Sequence, residues 1–573
     1  MRVLMRYIKP YGWFIIFTTV IKLAGSFTDL MIPFLMKVIL DDVVPTGHMP
    51  SIYLFGGLML LCALLTMTLN ITANRMSAKS SGKITQKLRH DLFTKLENLS
   101  AHQMDELTTP SAVSRLTSDT YNVNQMLNRV QRMGIRAPTL LIGGIVMMLS
   151  MDPVLALVLI GLLPVVALVV VVVTKRSIPL YTKQQGVLDR VVRTVQENIT
   201  GVRVIKALSK TEHEKQRFNA VNDELATVSE RAGTVTNITN PTTSLILNLG
   251  LTLAVVAGAY RINAGACETG VLIAFLQYFT QILNAMLGIT RVFIMASRGA
   301  ASANRVADVL ELGEEQTVVK DDAPAAENAP HIEFQDVSFS YTGIGTNISH
   351  LSFRLEHGQT LGILGPTGSG KSTIINLLLR LYDPQEGRIL IDGRDIRTIE
   401  QEQLRKMFGT VFQNDFITEG SIAHNIRFFR ELSDEDLARA AADAQATAFV
   451  ADKGGMDASV VVRGNNISGG QKQRLLIARA LAARPDILVL DDSSSALDYH
   501  TDSLLRQALR KGYRDTTTVL IAQRISSLRH ADLILVLHDG NVIGAGDHDT
   551  LMETCEEYRI IAQIQMGDGK EGD

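Results

Sequence analysis

Gly365-Pro366-Thr367-Gly368-Ser369-Gly370-Lys371-Ser372-Thr373 decides how half of this chain must fold. The stretch follows the apolar run Thr360-Leu361-Gly362-Ile363-Leu364, which reads as a buried strand, and precedes residues 374–382, whose apolar positions fall at helical spacing. Strand, glycine-rich turn and helix in that order make a phosphate loop. The glycines let backbone N–H groups curl around phosphates, and Lys371 would reach the β- and γ-phosphates as a point charge. Ser372 would offer its hydroxyl to Mg²⁺, with the helix N-terminus adding the positive end of its dipole. A chance glycine-rich turn would need neither the lysine nor this strand-loop-helix context, so ATP and Mg²⁺ are the expected ligands.

Further on, Ile487-Leu488-Val489-Leu490-Asp491 is an apolar strand ending in a carboxylate, the place where a P-loop NTPase holds its metal. Alone, such an aspartate is more often a helix cap or turn former. Between these anchors lies Ser468-Gly469-Gly470-Gln471-Lys472-Gln473-Arg474, followed by an amphipathic helix to Ala483. This combination closely resembles the signature sequence of ABC ATPases.

The resemblance extends along the chain. Tyr341, in Phe339-Ser340-Tyr341, matches the aromatic that stacks on adenine, and Gln413, in Val411-Phe412-Gln413-Asn414, matches the glutamine that touches Mg²⁺ and the membrane domain. Ser495-Ala496-Leu497-Asp498 matches the loop joining the two ATP sites of a dimer. Taken singly, Tyr341 reads as a core aromatic and Gln413 as a surface amide; in register with the other motifs they do not. The implied metal ligands are Ser372, Gln413 and Asp491.

Two positions depart from the family pattern. The residue after the magnesium aspartate is normally the glutamate that polarises the attacking water, and here it is Asp492, one methylene shorter. A general base contributes about 10²–10⁴-fold, so a retracted one costs a large part of that. The family's γ-phosphate histidine is replaced by Gln523, which hydrogen-bonds but carries no charge. Val462, in Val460-Val461-Val462-Arg463-Gly464, stands where this class usually has a glutamate that communicates with the membrane domain.

Losses at Asp492 and Gln523 beside intact binding motifs resemble one half of a heterodimeric exporter. Each ATP would be clamped between the phosphate loop of one subunit and the signature of the other. Lys371, Asp492 and Gln523 would then build an impaired site, while Ser468, Gly469, Gly470 and Gln471 complete a competent site on a partner that keeps its Glu and His. The alternatives are a slow homodimeric exporter of lipid or peptide, or a nontransporting regulator or ATP-gated channel on the same fold.

Composition agrees with a membrane protein. The chain has 573 residues, 46% hydrophobic and 20% charged, with a net charge of −2, which excludes a nucleic-acid binder driven by net basicity. Six apolar segments, 12–39, 52–70, 133–150, 154–174, 242–260 and 271–289, approach the roughly 20 residues a span requires. The fourth should kink at Pro164. The first is interrupted by Lys22 and Asp29, which could pair across about two turns, with Lys37 near its end. Basic residues crowd the N-terminus and the connections 74–132 and 175–234, placing these and the ATPase in the cytoplasm and the protein in the cell membrane. The charged start runs into a span with no small-residue cleavage site, so the first span is expected to stay.

The expected architecture is an α-helical membrane domain, residues 1–313, a linker at 314–330, an α/β P-loop ABC ATPase domain at 331–565 and a tail at 566–573. The two long connections have helical periodicity, so the spans should extend into the cytoplasm. By resemblance, short coupling helices near 104–110 and 209–214 would rest on the ATPase domains, the second on the partner's. The linker, with Asp321-Asp322-Ala323-Pro324-Ala325-Ala326, is too polar and proline-rich to pack a core. Cys62, Cys267 and Cys555 lie far apart and indicate neither a disulfide nor a metal site. Gln277, Gln281, Asn284 and Arg291, with Phe275 and Phe279, are candidates to line a cavity for a small amphiphilic substrate, although helix packing explains such polar residues equally well. The implied mechanism is alternating access, and the implied partners are a second half-transporter, membrane lipid and the substrate.

Overall fold

The computed structural model describes residues 2–319, 329–413, 416–493 and 495–566. Residues 321–326 of the expected linker, Asn414 and the tail from Gly567 lie outside the described residues. The chain divides into two compact units: Met1–Glu97 with Thr109–Leu312, and Asn98–Thr108 with Gly313–Asp573.

The first unit is helical and, among the described residues, contains six runs long and apolar enough to cross a membrane. These begin with α1 (Gly12–Val38) and α2 (Met49–Glu97). The short α3 (Ala101–Leu107) belongs to the second unit. The membrane unit continues with α4 (Thr120–Met151), α5 (Pro153–Ile160), α6 (Leu163–Thr200), α7 (Thr211–Asn237), α8 (Thr239–Asn263) and α9 (Thr269–Leu310). At about 1.5 Å per residue, the 49 residues of α2 extend about 74 Å, more than twice the roughly 30 Å of hydrocarbon, as helical periodicity in the connections required. Pro164 does more than kink its span. The helix stops at Gly161 and Leu162 and restarts at Leu163, because a proline in the first turn lacks only an N–H that would have no partner there.

Ion pairing in this unit differs from the sequence expectation. Lys22 does not reach Asp29: its ammonium donates to Asn70 Oδ1 at 2.8 Å and Asn74 Oδ1 at 3.1 Å, while Asp29 accepts from Arg136 Nη2 at 2.7 Å. Neighbouring helices offered partners closer than two turns along the same one. Phe275 and Phe279 are also corrected. They are 0% and 1% exposed in a core with Leu30, Leu140, Met148 and Ile282, so they pack helices and line no cavity.

The second unit holds two large sheets and a short antiparallel pair, Gly420–Ser421 with Ser459–Val460. Strands β1 (Ile332–Phe339), β2 (Ile348–Leu355), β3 (Thr360–Leu364), β4 (Glu386–Ile391), β5 (Phe408–Val411), β6 (Ile487–Asp491), β7 (Thr517–Ile521), β8 (Leu533–His538) and β9 (Asn541–Gly546) carry its framework. An antiparallel sheet has the order β2-β1-β4, continued by the two-residue strand Arg394–Asp395. The main sheet has the order β9-β8-β3-β7-β6-β5, parallel except where β9 pairs antiparallel with β8. Every residue of β6 is buried, as a parallel strand covered on both faces must be.

The start of the expected linker is tied down. Gln316 Nε2 donates to the Arg380 carbonyl at 3.0 Å, Val319 N to Arg397 O at 2.9 Å, and Glu315 accepts from Ser100 Oγ at 2.5 Å. Small and acidic residues cannot build a core, but their backbone and amide groups dock on one already formed.

Candidate ATP site

Strands β3 and β6 flank β7 in the main sheet, with Ile363 and Asp491 both in register with Ile521. Their C-terminal ends therefore lie side by side, the crevice where open parallel sheets bind ligands. From the end of β3 the chain turns through Gly365-Pro366-Thr367-Gly368-Ser369-Gly370 into α10 (Lys371–Leu378). This helix ends sooner than sequence spacing implied, because Arg380 takes a left-handed φ of 49° and buries its guanidinium against Asp383 and the Thr317 carbonyl.

Two glycines in the loop are required by geometry. Gly370 has φ 98°, and a Cβ there would lie 2.6 Å from Ile348 and 2.7 Å from the Asn347 carbonyl. Gly368 has φ 88° and nothing within 4 Å of where a Cβ would stand, so the loop leaves an open cradle at that point. Ser369 Oγ is buried there without a hydrogen-bond partner. Lys371 Nζ lies over the loop, donating to the carbonyls of Gly365 at 2.8 Å and Pro366 at 2.7 Å. Burial pushes the Lys371 pKa down, against the opposing pull of Asp491 and Asp492.

Ser372 Oγ donates to Asp491 Oδ2 at 2.9 Å. A hydroxyl and a carboxylate at this spacing are hard oxygen donors of the kind Mg²⁺ takes beside water and phosphate. Burial raises the Asp491 pKa, the Ser372 hydrogen bond opposes that, and Asp492 adds to it. With the open cradle and the unpartnered Ser369 hydroxyl, the residues fit a Mg²⁺-bound polyphosphate.

Asp492 sits one residue past the strand at φ 49°, and its Oδ2 accepts from Gln523 Nε2 at 3.2 Å and from Gln413 Nε2 at 3.5 Å. The two sequence departures therefore touch. Burial raises the Asp492 pKa, opposed by the hydrogen bond from Gln413, Lys371 and the bond from Gln523.

Tyr341 points inward. Its hydroxyl accepts from Asn376 Nδ2 at 2.9 Å, and its ring meets Phe339 and Tyr382 edge-on at 4.8 and 5.0 Å. Tyr341 and Tyr382 line a cleft with His102, Asp105 and Gln316.

The signature opens α11 (Gly469–Leu481). Ser468 Oγ accepts from Gln471 N at 3.3 Å and Gln471 Oε1 from Ser468 N at 3.0 Å, a capping box that fixes the helix start. The residue that sequence reasoning missed is Gln473. It accepts from Ala496 N at 2.9 Å and donates to Ser495 Oγ at 3.2 Å and Asp492 O at 3.4 Å, tying the signature helix to the loop after β6. Leu497 is buried beneath that loop, and Asp498 caps α12 (Tyr499–Gly512) by accepting from Thr501 N. Val462 is exposed in a single 3₁₀ turn.

Residues 15–286 match the ABC transporter transmembrane region, and residues 348–495 match the ABC transporter family itself. The chain belongs to the ABC transporter family. An uncharacterized ABC transporter ATP-binding protein of Bacillus subtilis, YfiB, is 33% identical over 567 residues, 98% of each chain. Another from Mycobacterium tuberculosis, Rv1273c, is 30% identical over 579 residues, 98% of this transporter and 97% of the relative. A fatty acid ABC transporter ATP-binding/permease protein of Mycobacterium bovis is 33% identical over 472 residues, covering 82% of this transporter and 74% of the relative. Among solved structures, a bacterial Atm1-family ABC exporter with ATP bound superposes with a TM-score of 0.82 at 26% identity, covering 98% of this transporter and 99% of that chain. The transporter is thus a multi-pass membrane exporter half with an ATPase domain, and proteins of this fold work as dimers.

Proposed function

We propose that this chain drives export of an amphiphilic or drug-like substrate across the cell membrane by alternating access, as the subunit that carries the catalytically impaired ATP site of a heterodimer. The observation that carries this reading is the pair of amides on Asp492. A carboxylate that accepts from Gln413 and Gln523 is shorter than a glutamate and turned toward protein donors, so it is poorly placed to take a proton from water. The binding parts remain: the glycine cradle, Lys371, the Ser372–Asp491 pair and Tyr341.

In this reading the loop N–H groups and Lys371 orient the phosphates, Ser372 and Asp491 hold the metal, and Tyr341 swings out of its contact with Asn376 to stack on adenine. Mg²⁺, when bound, neutralises charge on the phosphates. Ser468, Gly469, Gly470 and Gln471 complete the partner's site, and the Ser495–Asp498 loop, bonded through Gln473, links one site to the other. The impaired site then holds its nucleotide while the partner's site fires, keeping the ATPase domains together between cycles.

The test is to purify the chain alone and with a co-expressed second half-transporter that carries Glu and His at the matching positions. The pair should hydrolyse ATP much faster than this chain alone, and Glu→Gln in the partner should remove most of that activity. Activity that survives the partner's change undiminished would return this chain to a homodimeric reading.

A further inference from the structure

A recess of about 270 Å³ opens between α12 and the main sheet. Leu490 of β6, Leu520 of β7 and Leu505 and Leu509 of α12 line it with apolar surface, and it reaches Ser493, the residue after Asp492. Helix and sheet normally pack with few voids larger than a water molecule, and ligand sites begin at about 300 Å³, so the hollow is close to ligand size. Tyr513 completes the apolar wall: its hydroxyl donates to Asp443 Oδ2 at 2.9 Å, which fixes the ring at the recess.

The charged part of the lining is mostly basic. Arg506, Arg510 and Arg514 follow one another at four-residue spacing, and His530 joins them from beyond the short helix Ile525–Leu528. Arg506 is neutralised, its Nη2 3.0 Å from Asp502 Oδ2. Asp532, the other acid at the recess, accepts from Thr360 N at 2.7 Å. Arg510, Arg514 and His530 make no ion pair or side-chain hydrogen bond among the described residues. Like charges at this spacing repel, and the helix dipole accounts for arginines near the end of α12 but not for an imidazole beside them. Partial desolvation, then Arg510, Arg529, Arg506 and His548, push the His530 pKa down, so at pH 7 the ring is neutral and offers an N–H. The two walls are tied together: Ser527 Oγ donates to Asp502 Oδ2 at 3.3 Å, and Arg506 Nη1 donates to the Ser526 carbonyl. One wall begins at Asp498, the cap of α12, and the other begins two residues after Gln523.

We propose that this recess binds a small aromatic anion, a flat apolar body ending in a carboxylate, sulfonate or phosphate, and that the occupant slows ATP hydrolysis. The ring lies on the leucines beside Tyr513, and the anionic end takes hydrogen bonds from Arg510, Arg514 and His530. Guanidinium groups both stack on aromatic faces and pair with such anions. An occupant held by both walls adds to the two bonds that already join them, and so stiffens the Ser495–Asp498 loop against Gln523. The site is built from the ATPase domain alone and does not depend on the heterodimer or on the molecule exported.

The test uses the full chain in phosphatidylcholine nanodiscs and radiolabelled 1-naphthaleneacetate, with empty nanodiscs as the blank. Binding should saturate; 1-naphthalenesulfonate should displace the label, and 1-naphthalenemethylamine, its cationic match, should not. Arg510→Gln and Arg514→Gln should each weaken binding about tenfold, the loss expected from one hydrogen bond to a charged group, whereas Arg510→Lys, which keeps the charge, should stay within about threefold and shows that the site still folds. Saturating 1-naphthaleneacetate should lower ATP hydrolysis about fivefold, a coupling of ordinary size between two sites. The concentration that gives half of this effect should rise in Arg510→Gln in step with the weaker binding. Absence of saturable binding, equal displacement by the amine, displacement by inorganic phosphate at the same concentration, or binding unaffected in both glutamine variants would each overturn the proposal. So would a rate of hydrolysis unchanged or raised at saturation.

Discussion

Tyr382 hydrogen-bonds through its hydroxyl to the carboxylate of Asp105, 277 residues earlier in the chain. Asp105 lies on α3, whose own N-cap, Ser100, reaches Glu315, and whose Gln103 donates to the Gly313 carbonyl at 2.9 Å. The Tyr382 ring meets Tyr341 edge-on at 5.0 Å, and Tyr341 bonds to Asn376 on the helix after the phosphate loop. The residue expected to touch adenine is thus two contacts from a short helix that is covalently continuous with two membrane spans. Burial, then Asp105, push the Tyr382 pKa well above the usual phenol range, so the hydroxyl stays a donor throughout physiological pH.

Tyr382→Phe keeps the ring against Tyr341 and removes only the bond to Asp105. ATP affinity should hold within about twofold, and the lost bond should cost about 0.5–1.5 kcal/mol of docking. Substrate moved per ATP hydrolysed in proteoliposomes should fall. A variant with unchanged stoichiometry would show that the contact fastens the helix without transmitting anything.

On the proposed reading, lengthening the base should raise hydrolysis at the site of Lys371. Asp492→Glu with Gln523→His removes one of the two amides on the carboxylate and extends it by a methylene. Hydrolysis assigned to the site of Lys371 should rise by about 10–10², part of a general base's usual contribution. Single-turnover measurement with nucleotide trapped at that site reads it, and an unchanged rate would place the defect in the signature that faces Lys371.

The ATP site was largely legible because its motifs are local. A phosphate loop and a strand-end aspartate each declare their chemistry within a few residues, and one parallel sheet aligns them. Contacts between distant segments were not legible. Nothing near Asp105 in the sequence names Tyr382, and nothing near Lys22 names Asn70, because helix packing chose those partners. Gln473 could have been found: a second amide two residues beyond Gln471, on the signature helix, marks a further polar contact at its start. The stretch Glu314 to Val319 misled by composition, which reports what cannot form a core but not what can dock on one.

Gln473 holds the loop after β6 to the signature helix through three hydrogen bonds. Gln473→Ala should lower ATPase of the assembled transporter by about tenfold through misplaced Ser495–Asp498. Global stability should fall by less than about 1.5 kcal/mol, since the loop is mostly exposed. Ser495→Ala, which removes one of the three bonds, should have a smaller effect. If the two variants match, the bond to Ala496 N carries nothing.

Acid should loosen the antiparallel sheet before the rest of the ATPase domain. His331, just before β1, is 1% exposed, contacts Thr517 Oγ1 at 2.6 Å and stacks on His357 with ring centroids 3.9 Å apart and planes 13° from parallel. Burial lowers its pKa, and the cation His357 becomes on protonation lowers it further; Asp392 and Asp486 pull the other way without winning. The folded state therefore resists a proton that the unfolded chain accepts at about pH 6.5. Stability from this group is present above that pH and is lost as pH falls through it toward the lower folded value. Protection of the Ile332–Phe339 amides, relative to their intrinsic exchange rates, should fall between pH 7 and pH 5, and His357→Gln, which raises the folded His331 value toward the unfolded one, should shrink that fall. His331, His357 and Asp392 also stand close enough to suggest a metal site. Near-parallel stacked rings have no common in-plane point for an ion to occupy, so added Zn²⁺ should leave exchange unchanged at pH 7.5. Protection by Zn²⁺ would show that the rings swing apart to ligate it, and protection factors flat across the pH range would remove His331 from the account of acid stability.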